Sequence, residues 1–318
     1  MKKLKTIFLI LLIFTLIFGL AYRAFDRVPK SESTEFLFDT YCTVAAYSKD
    51  ADAAVSAVFD ELSRLHSLTN FFDESSDVSK INRAKHGEKV KVDPCVINII
   101  SKAQEIKLAS DGAFDISIAP VSMLWKFDEN TPTPPTDEQI SQSLLSVKNS
   151  GLMVDADEMT VSKTLDASMI DLGGAAKGYA GDVALKILRE YGVEAAIVDL
   201  GGNISCYGKN PNSKDGKWRI GLQKPFAPTG EYSNTVQLTE GAVVTSGTYQ
   251  RYFEHEGEVY HHIIDPKTGR PARQSYQSVT IVAESSMEAD CLATAVYVLG
   301  TERGEALARS RGAKVYFK

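Results

Sequence analysis

The 318-residue chain has little cysteine, and Cys42, Cys95, Cys206 and Cys291 lie far apart with no CxxC spacing. That excludes a zinc ribbon and a dense disulfide framework, and leaves four small residues for packing. An excess of positive charge is missing too. The formal net charge is −6 and the pI about 5.5, without the basic stripe that a nucleic-acid binder presents to phosphate. Neither Gly-x-x-x-x-Gly-Lys-Ser/Thr nor Gly-x-Gly-x-x-Gly occurs, so the familiar nucleotide-binding fingerprints are absent. No low-complexity segment appears. Long apolar runs are scarce as well, and the one exception is TIFLILLIFTLIFGLAY, Thr6 to Tyr22, preceded by Lys2, Lys3 and Lys5.

That run is uncharged over 17 residues, the lower edge of a membrane span and the upper edge of a signal-peptide core, and the lysines place the N-terminus inside. Residues 1–22 read as a signal peptide or signal anchor. Cleavage after Gly19-Leu20-Ala21 and retention as an anchor both stay open, and no cysteine follows the run to make a lipoprotein signal. Residues 23–34, which include RVPKSEST, read as a polar tether. Residues 35–318 are then one folded domain on the extracytoplasmic side of the cell membrane, or secreted if the leader is removed.

A composition of 44% hydrophobic residues supports a substantial core. FLFDTYCTVAAY (Phe36 to Tyr47) reads as a strand, and Ala51 to Phe72 carries apolar residues at helical spacing. A helix is expected from Pro94 to Ala109, with Asp93 as cap and Pro94 in the first turn. Another follows the proline-rich DENTPTPPTDEQ, starting at Thr136 or Asp137 and running through Val147. His66 and His86 have no acidic or cysteine partners at ligand spacing and read as surface or packing residues.

MIDLGGAAKGYAGD (Met169 to Asp182) and IVDLGGNISCYG (Ile197 to Gly208) both carry apolar-Asp-Leu-Gly-Gly after a run that reads as a strand. Paired glycines permit positive φ and close approach to a ligand. In the first copy a helix from Lys177 through Tyr191 follows, an arrangement open to phosphate binding or to plain turn chemistry. In SSMEADCLATAVYVLG, Asp290 and Thr294 lie one helical turn apart, either sharing a hard cation such as Mg²⁺ or merely sharing a helix face. Finally, HHIIDPKTGRPA (His261 to Ala272) holds turn-forming Asp-Pro and Thr-Gly together with two imidazoles that a turn does not require.

From about Phe36 onward the chain resembles the ApbE family of FAD:protein FMN transferases, through GAFD (Gly112 to Asp115), APVSMLWKF, DLGGAAKGYAGD, VDLGGNI, VVTSGTYQRYF (Val243 to Phe253), HHIIDPKTGRPA and EADCLATAVYVLG. The resemblance implies an α+β fold with mixed sheets flanked by helices. It implies Mg²⁺-dependent transfer of the FMN moiety of FAD to a Thr or Ser hydroxyl of an exported or membrane flavoprotein, with release of AMP. It further implies metal ligation by Asp290, Thr294 and the carbonyl of Gly174. Flavin nucleotide binding would fall to Ala113, Phe114, Asp115, Asp171, Lys177 and the Thr245-Ser246-Gly247 loop. His262 falls at the catalytic histidine position as the general base, with Lys177 beside the phosphoryl group and Asp265 fixing the catalytic loop.

Many relatives carry Met-Gly-Thr where this chain has Tyr41-Cys42-Thr43, and tyrosine at the flavin-stacking position where it has Phe72. Tyr41 and Phe72 are therefore both candidates to cover the isoalloxazine. Two other readings use the same residues: a metal-dependent FAD pyrophosphatase, with water in place of the protein hydroxyl, and a non-catalytic flavin-binding protein. The family's acceptor segment, Asp-Gly-x-Ser/Thr-Gly/Ala-Thr in outline, is absent here, so the acceptor is a partner.

Overall fold

The structure, a computed structural model, describes residues 28–318 apart from 128, 130, 131 and 229. The N-terminal hydrophobic run lies outside the described residues, and among those described no helix is long and apolar enough to cross a membrane. In chain order the strands are β1 (Lys30–Leu37), β2 (Thr40–Tyr47), β3 (Val90–Lys91), β4 (Leu152–Asp155), β5 (Thr160–Lys163), β6 (Ala195–Leu200), β7 (Asn203–Tyr207), β8 (Trp218–Gln223), β9 (Tyr232–Leu238), β10 (Gly241–Gly247), β11 (Tyr252–His255), β12 (Glu258–His261), β13 (Ile264–Asp265), β14 (Arg270–Pro271), β15 (Ser278–Ala283) and β16 (Lys314–Phe317). The helices are α1 (Ala51–Thr69), α2 (Asp77–Arg83), α3 (Pro94–Ala109), α4 (Ala119–Ser122), α5 (Asp137–Lys148), α6 (Ala176–Glu190), α7 (Ser286–Leu299) and α8 (Thr301–Ser310).

Seven strands form the main sheet in the order β1-β2-β6-β7-β10-β15-β16. The class is α+β, but the expected mixed sheets are not found. Among the described residues every named strand pair is antiparallel, and the one parallel pairing is the isolated bridge of His86 with Lys163. Alternation along the strands gives the two faces of the main sheet separate cores. Val44, Val198, Val244 and Ile281 face α1, α3, α6 and α7, whereas Ala45, Cys206 and Val243 face Trp218, Ile220 and Val236 of the β8–β9 hairpin. All four cysteines are buried and free. Burial pushes the thiols of Cys42 and Cys206 up to about 11 and about 12, so both stay protonated and inert.

The stretch Phe36 to Tyr47 is not one strand. It folds back at Phe38-Asp39, where φ is 52° and 58°, a two-residue hairpin made without the Asn-Gly or Asp-Gly that usually announces one. The first strand also begins at Lys30, inside the stretch read as a tether, and pairs with Tyr47. Helices α3 and α5 begin where capping chemistry places them: Asp93 accepts from the Cys95 amide ahead of Pro94, and Thr136 with Gln139 forms a capping box.

The two DLGG copies differ. Gly201 and Gly202, with φ of 66° and 93°, close the β6–β7 hairpin. The first copy follows irregular chain rather than a strand and runs into α6. Its approach is held from behind by Asn82, whose side chain exchanges two hydrogen bonds with the backbone of Ile170. The fully buried Lys163 donates to the carbonyls of Asn82, Asp166 and Ser168, which satisfies all three of its N–H groups.

Helices α6 and α7 clasp each other with carboxylates. Asp182 of α6 accepts from Ser285 Oγ and from the amides of Ser286 and Met287 at the start of α7. In return Asp290 of α7 accepts from the Gly178 amide in the first turn of α6, at 2.8 Å. Each carboxylate meets the positive end of the other helix. Gly178 permits the contact, because a Cβ there would lie 2.6 Å from both Asp290 Cβ and the Ser286 carbonyl oxygen. Gly178→Ala is therefore expected to destabilise the fold by about 1–3 kcal/mol, read as a lowered urea midpoint; an unchanged midpoint would refute the tight contact.

Candidate active site

A cleft with two joined lobes, of about 330 and about 500 Å³, opens where the hairpin turn Phe38-Asp39, the first DLGG turn, the β10–β11 loop and the segment after β12 converge. Asp171, Gly173, Lys177, Arg251 and His262 line both lobes. The larger lobe brings together Ala113, Phe114, Asp115, Asp171, Gly174, Lys177, Thr245, Ser246, His262, Asp290 and Thr294 from positions spread over most of the domain. Phe72 lies on the smaller lobe.

Three residues singled out from the sequence line neither lobe. Tyr41 is 71% exposed and packs edge-to-face on Phe36, away from the cleft. Of the two aromatic candidates, only Phe72 reaches the cavity. Gly247 instead gives room to Tyr249, whose ring would be 2.7 Å from a Cβ there. Asp265 builds the turn: its carboxylate accepts from the Lys267 amide and its carbonyl from the amides of Thr268 and Gly269. That turn is pinned from below, because the buried Trp125 indole donates to the Gly269 carbonyl and α5 packs against Gly269.

The two histidines differ in what their ring nitrogens do. His261 is buried, and both nitrogens are used inside the protein: Nε2 pairs with the Ala272 carbonyl at 2.9 Å, and Nδ1 accepts from the Ile263 amide. Its neighbour His262 is half-buried in the cleft wall, with Nδ1 3.2 Å from the Arg251 carbonyl. A carbonyl can only accept, so Nδ1 carries the proton and Nε2 is left as the proton acceptor. Burial lowers the His262 pKa to about 4; the Arg251 carbonyl opposes this, while the charges of Arg251 and Lys177 add to it. The imidazole is therefore neutral near pH 7.

Elsewhere on the wall of the larger lobe Asp290 is 5% exposed and Thr294 Oγ1 lies 3.4 Å from Ser246 Oγ. Gly174 stands beside them: a Cβ on it would lie 3.8 Å from Thr294 Oγ1 and 3.1 Å from the Phe114 ring. The Asp290 carboxylate and the Thr294 hydroxyl are hard oxygen donors, chemistry that suits a small hard cation rather than zinc. Among the described residues no group of three or more His, Cys, Asp or Glu side chains could hold a metal, so any cation here depends on this mixed set. Asp115, also on the wall, has its carboxylate engaged by Lys107 at 2.7 Å and by the Ser117 amide. Asp171 accepts from the Gly173 amide and so shapes the DLGG turn.

Sequence reasoning missed several wall residues. Phe38 and Asp39 line both lobes because of the hairpin turn, and Phe38 is held by His66, whose Nδ1 accepts its amide. His66 itself lines the smaller lobe. Asn203 is buried with its Nδ2 unpartnered, and only its place directly after the second DLGG could have marked it. Gln250 and Arg251 enter through the β10–β11 loop, inside the VVTSGTYQRYF stretch, where no role was assigned to them.

The sequence pattern of the ApbE family matches residues 38–317. A protein of Klebsiella pneumoniae named FAD:protein FMN transferase is 34% identical over 265 residues, covering 83% of this chain and 81% of that one. A Treponema pallidum protein of the same name is 31% identical over 299 residues, covering 89% and 82%. Among solved structures, the ApbE protein from Thermotoga maritima superposes with a TM-score of 0.82 at 33% identity, over 91% of this chain and 94% of that one. The flavin transferase ApbE from Vibrio cholerae gives 0.78 at 28%, over 91% and 93%. With the family pattern matched almost from the first hairpin to the last strand, the chain belongs to the ApbE family.

Proposed function

We propose that this protein is an FAD:protein FMN transferase. It moves the FMN moiety of FAD to a Ser or Thr hydroxyl of a partner flavoprotein. The observation that carries the reading is His262: neutral, fixed by the Arg251 carbonyl through Nδ1, and presenting Nε2 to a cleft that also holds Lys177 and the Asp290–Thr294–Gly174 oxygens. The lobe with Phe72 offers an aromatic face for the isoalloxazine, and the lobe with Lys177 and Thr245-Ser246 suits the pyrophosphate.

The acceptor hydroxyl oxygen forms a bond to the FMN phosphorus while the bond from that phosphorus to the bridging oxygen breaks. The hydroxyl proton passes to His262 Nε2, and AMP departs with the bridging oxygen and its electron pair. A positioned base of this kind contributes about 10²–10⁴-fold. Lys177 places an ammonium group in the same cavity, where it offsets charge on the transferring phosphoryl group. Asp290, Thr294 and the Gly174 carbonyl would hold Mg²⁺, which when bound neutralises pyrophosphate charge. His261 has no free ring nitrogen and serves only to shape the loop. Residues 1–22 keep the domain at the outer face of the cell membrane, a reading supported by the lysines before an uncharged run.

Incubation of residues 28–318 with FAD, MgCl₂ and a purified acceptor domain should add one phosphoester-linked FMN by intact-protein mass spectrometry, and EDTA should prevent it. His262→Ala should abolish the gain while His261→Gln retains it; the reverse pattern would remove the base assignment. Release of AMP and free FMN with the acceptor unaltered would favour the pyrophosphatase reading. Because the His262 pKa is lowered to about 4, the base is active above that value. The acid limb of kcat/KM should then fall below pH 5 instead of near the ordinary histidine value of about 6.5. A half-maximal point near 6.5 would contradict it. Fractionation of cells expressing the full chain should recover it with membranes and leave it open to external protease, whereas a protected, soluble protein would exclude the anchor.

A further inference from the structure

The β8–β9 hairpin packs on the loop whose Arg251 carbonyl holds His262, and it carries a feature that phosphoryl transfer itself does not use. Phe226, in the loop joining β8 to β9, is 55% exposed and has φ of 57°. A bulky residue in the left-handed region is an outlier, and such strain persists only where surrounding contacts impose it. Here they do. Gln223 Nε2 donates to the carbonyls of Ala227 and Pro228, and the Lys224 amide donates to Glu231. The braced loop sets the Phe226 ring against Tyr249 and Tyr252, at centroid distances of 5.8 and 5.7 Å. Tyr252 is itself 41% exposed, and Tyr249 is seated over Gly247.

The loop from Thr248 to Tyr252 is thus two-faced. Gln250 and Arg251 line the catalytic cavity, and the aromatic residues on either side of them meet Phe226. The same loop supplies the Arg251 carbonyl that fixes His262.

We propose that Phe226, Tyr249 and Tyr252 form the docking ledge for the acceptor polypeptide, an exposed Ser- or Thr-bearing loop of a flavoprotein domain. The proposal rests on the transferase reading. The acceptor hydroxyl must come within hydrogen-bond reach of His262 Nε2, so the residues flanking it in the acceptor loop lie on the rim next to His262. The ledge joins that rim through Arg251. Exposed aromatic rings set on a rigid base bury much area at little entropic cost, which makes them the usual anchors of a protein interface.

The test compares the unaltered enzyme with Phe226→Gly and Tyr252→Ser. Glycine accepts the left-handed backbone freely, so Phe226→Gly removes the ring and relieves the strain together. The probe is a purified soluble domain carrying an Asp-Gly-x-Ser/Thr-Gly/Ala-Thr segment, titrated at saturating FAD and MgCl₂. The acceptor KM should rise by at least about tenfold in each variant, while the FAD Kd from flavin fluorescence stays unchanged. An acceptor KM within about twofold of the unaltered enzyme's overturns the ledge and leaves the transferase reading intact. A matching loss of FAD affinity also overturns it, by assigning Phe226 to the nucleotide site. Failure of the unaltered enzyme to transfer FMN at all would sink both.

Discussion

The site depends on the close crossing of two helix starts, where α6 and α7 each offer a carboxylate to the other's exposed amides. Asp290 accepts from Gly178, and Asp182 accepts from Ser286 and Met287. The exchange satisfies donors that every helix leaves open at its N-terminus, and it sets the DLGG turn, which runs directly into α6, against the α7 face that bears Thr294. Because Asp290 spends one oxygen on Gly178, its orientation is fixed before any cation arrives. The DLGG turn and the α7 face that bears Asp290 and Thr294 are therefore a single mechanical unit.

The neighbouring histidines show how a one-residue step decides chemistry. His261 ends β12 and turns inward, edge-on to Tyr297, with both nitrogens consumed. His262 follows outside the strand, takes the Arg251 carbonyl and faces the cleft. Two identical side chains end as a packing residue and a cleft-wall residue with one ring nitrogen left to accept, because their hydrogen-bond partners differ.

Much of this was legible in the sequence wherever the cause is local. Asp93-Pro94 and Thr136 with Gln139 mark their helix starts because capping involves only adjacent residues. The family motifs placed eleven wall residues of the larger lobe, including His262, Lys177 and Asp290. What escaped depends on long-range geometry. The Phe38-Asp39 turn has no glycine or asparagine to announce it. The two DLGG copies diverge because one lies between paired strands and the other is held at Ile170 by Asn82, distant in sequence. Asp265 and Gly247 support the cavity from behind, a distinction that residue type cannot convey.

The strand order of the main sheet, β1-β2-β6-β7-β10-β15-β16, rises without interruption along the chain. A polypeptide delivered N-terminus first can add each strand to the edge already formed, and no later strand has to be inserted between two earlier ones. Asp290 and Thr294 lie on α7, between the last two strands, so the oxygens that would receive a cation are among the last parts made. The cleft wall that carries these two residues is therefore complete only when nearly the whole domain has been synthesised.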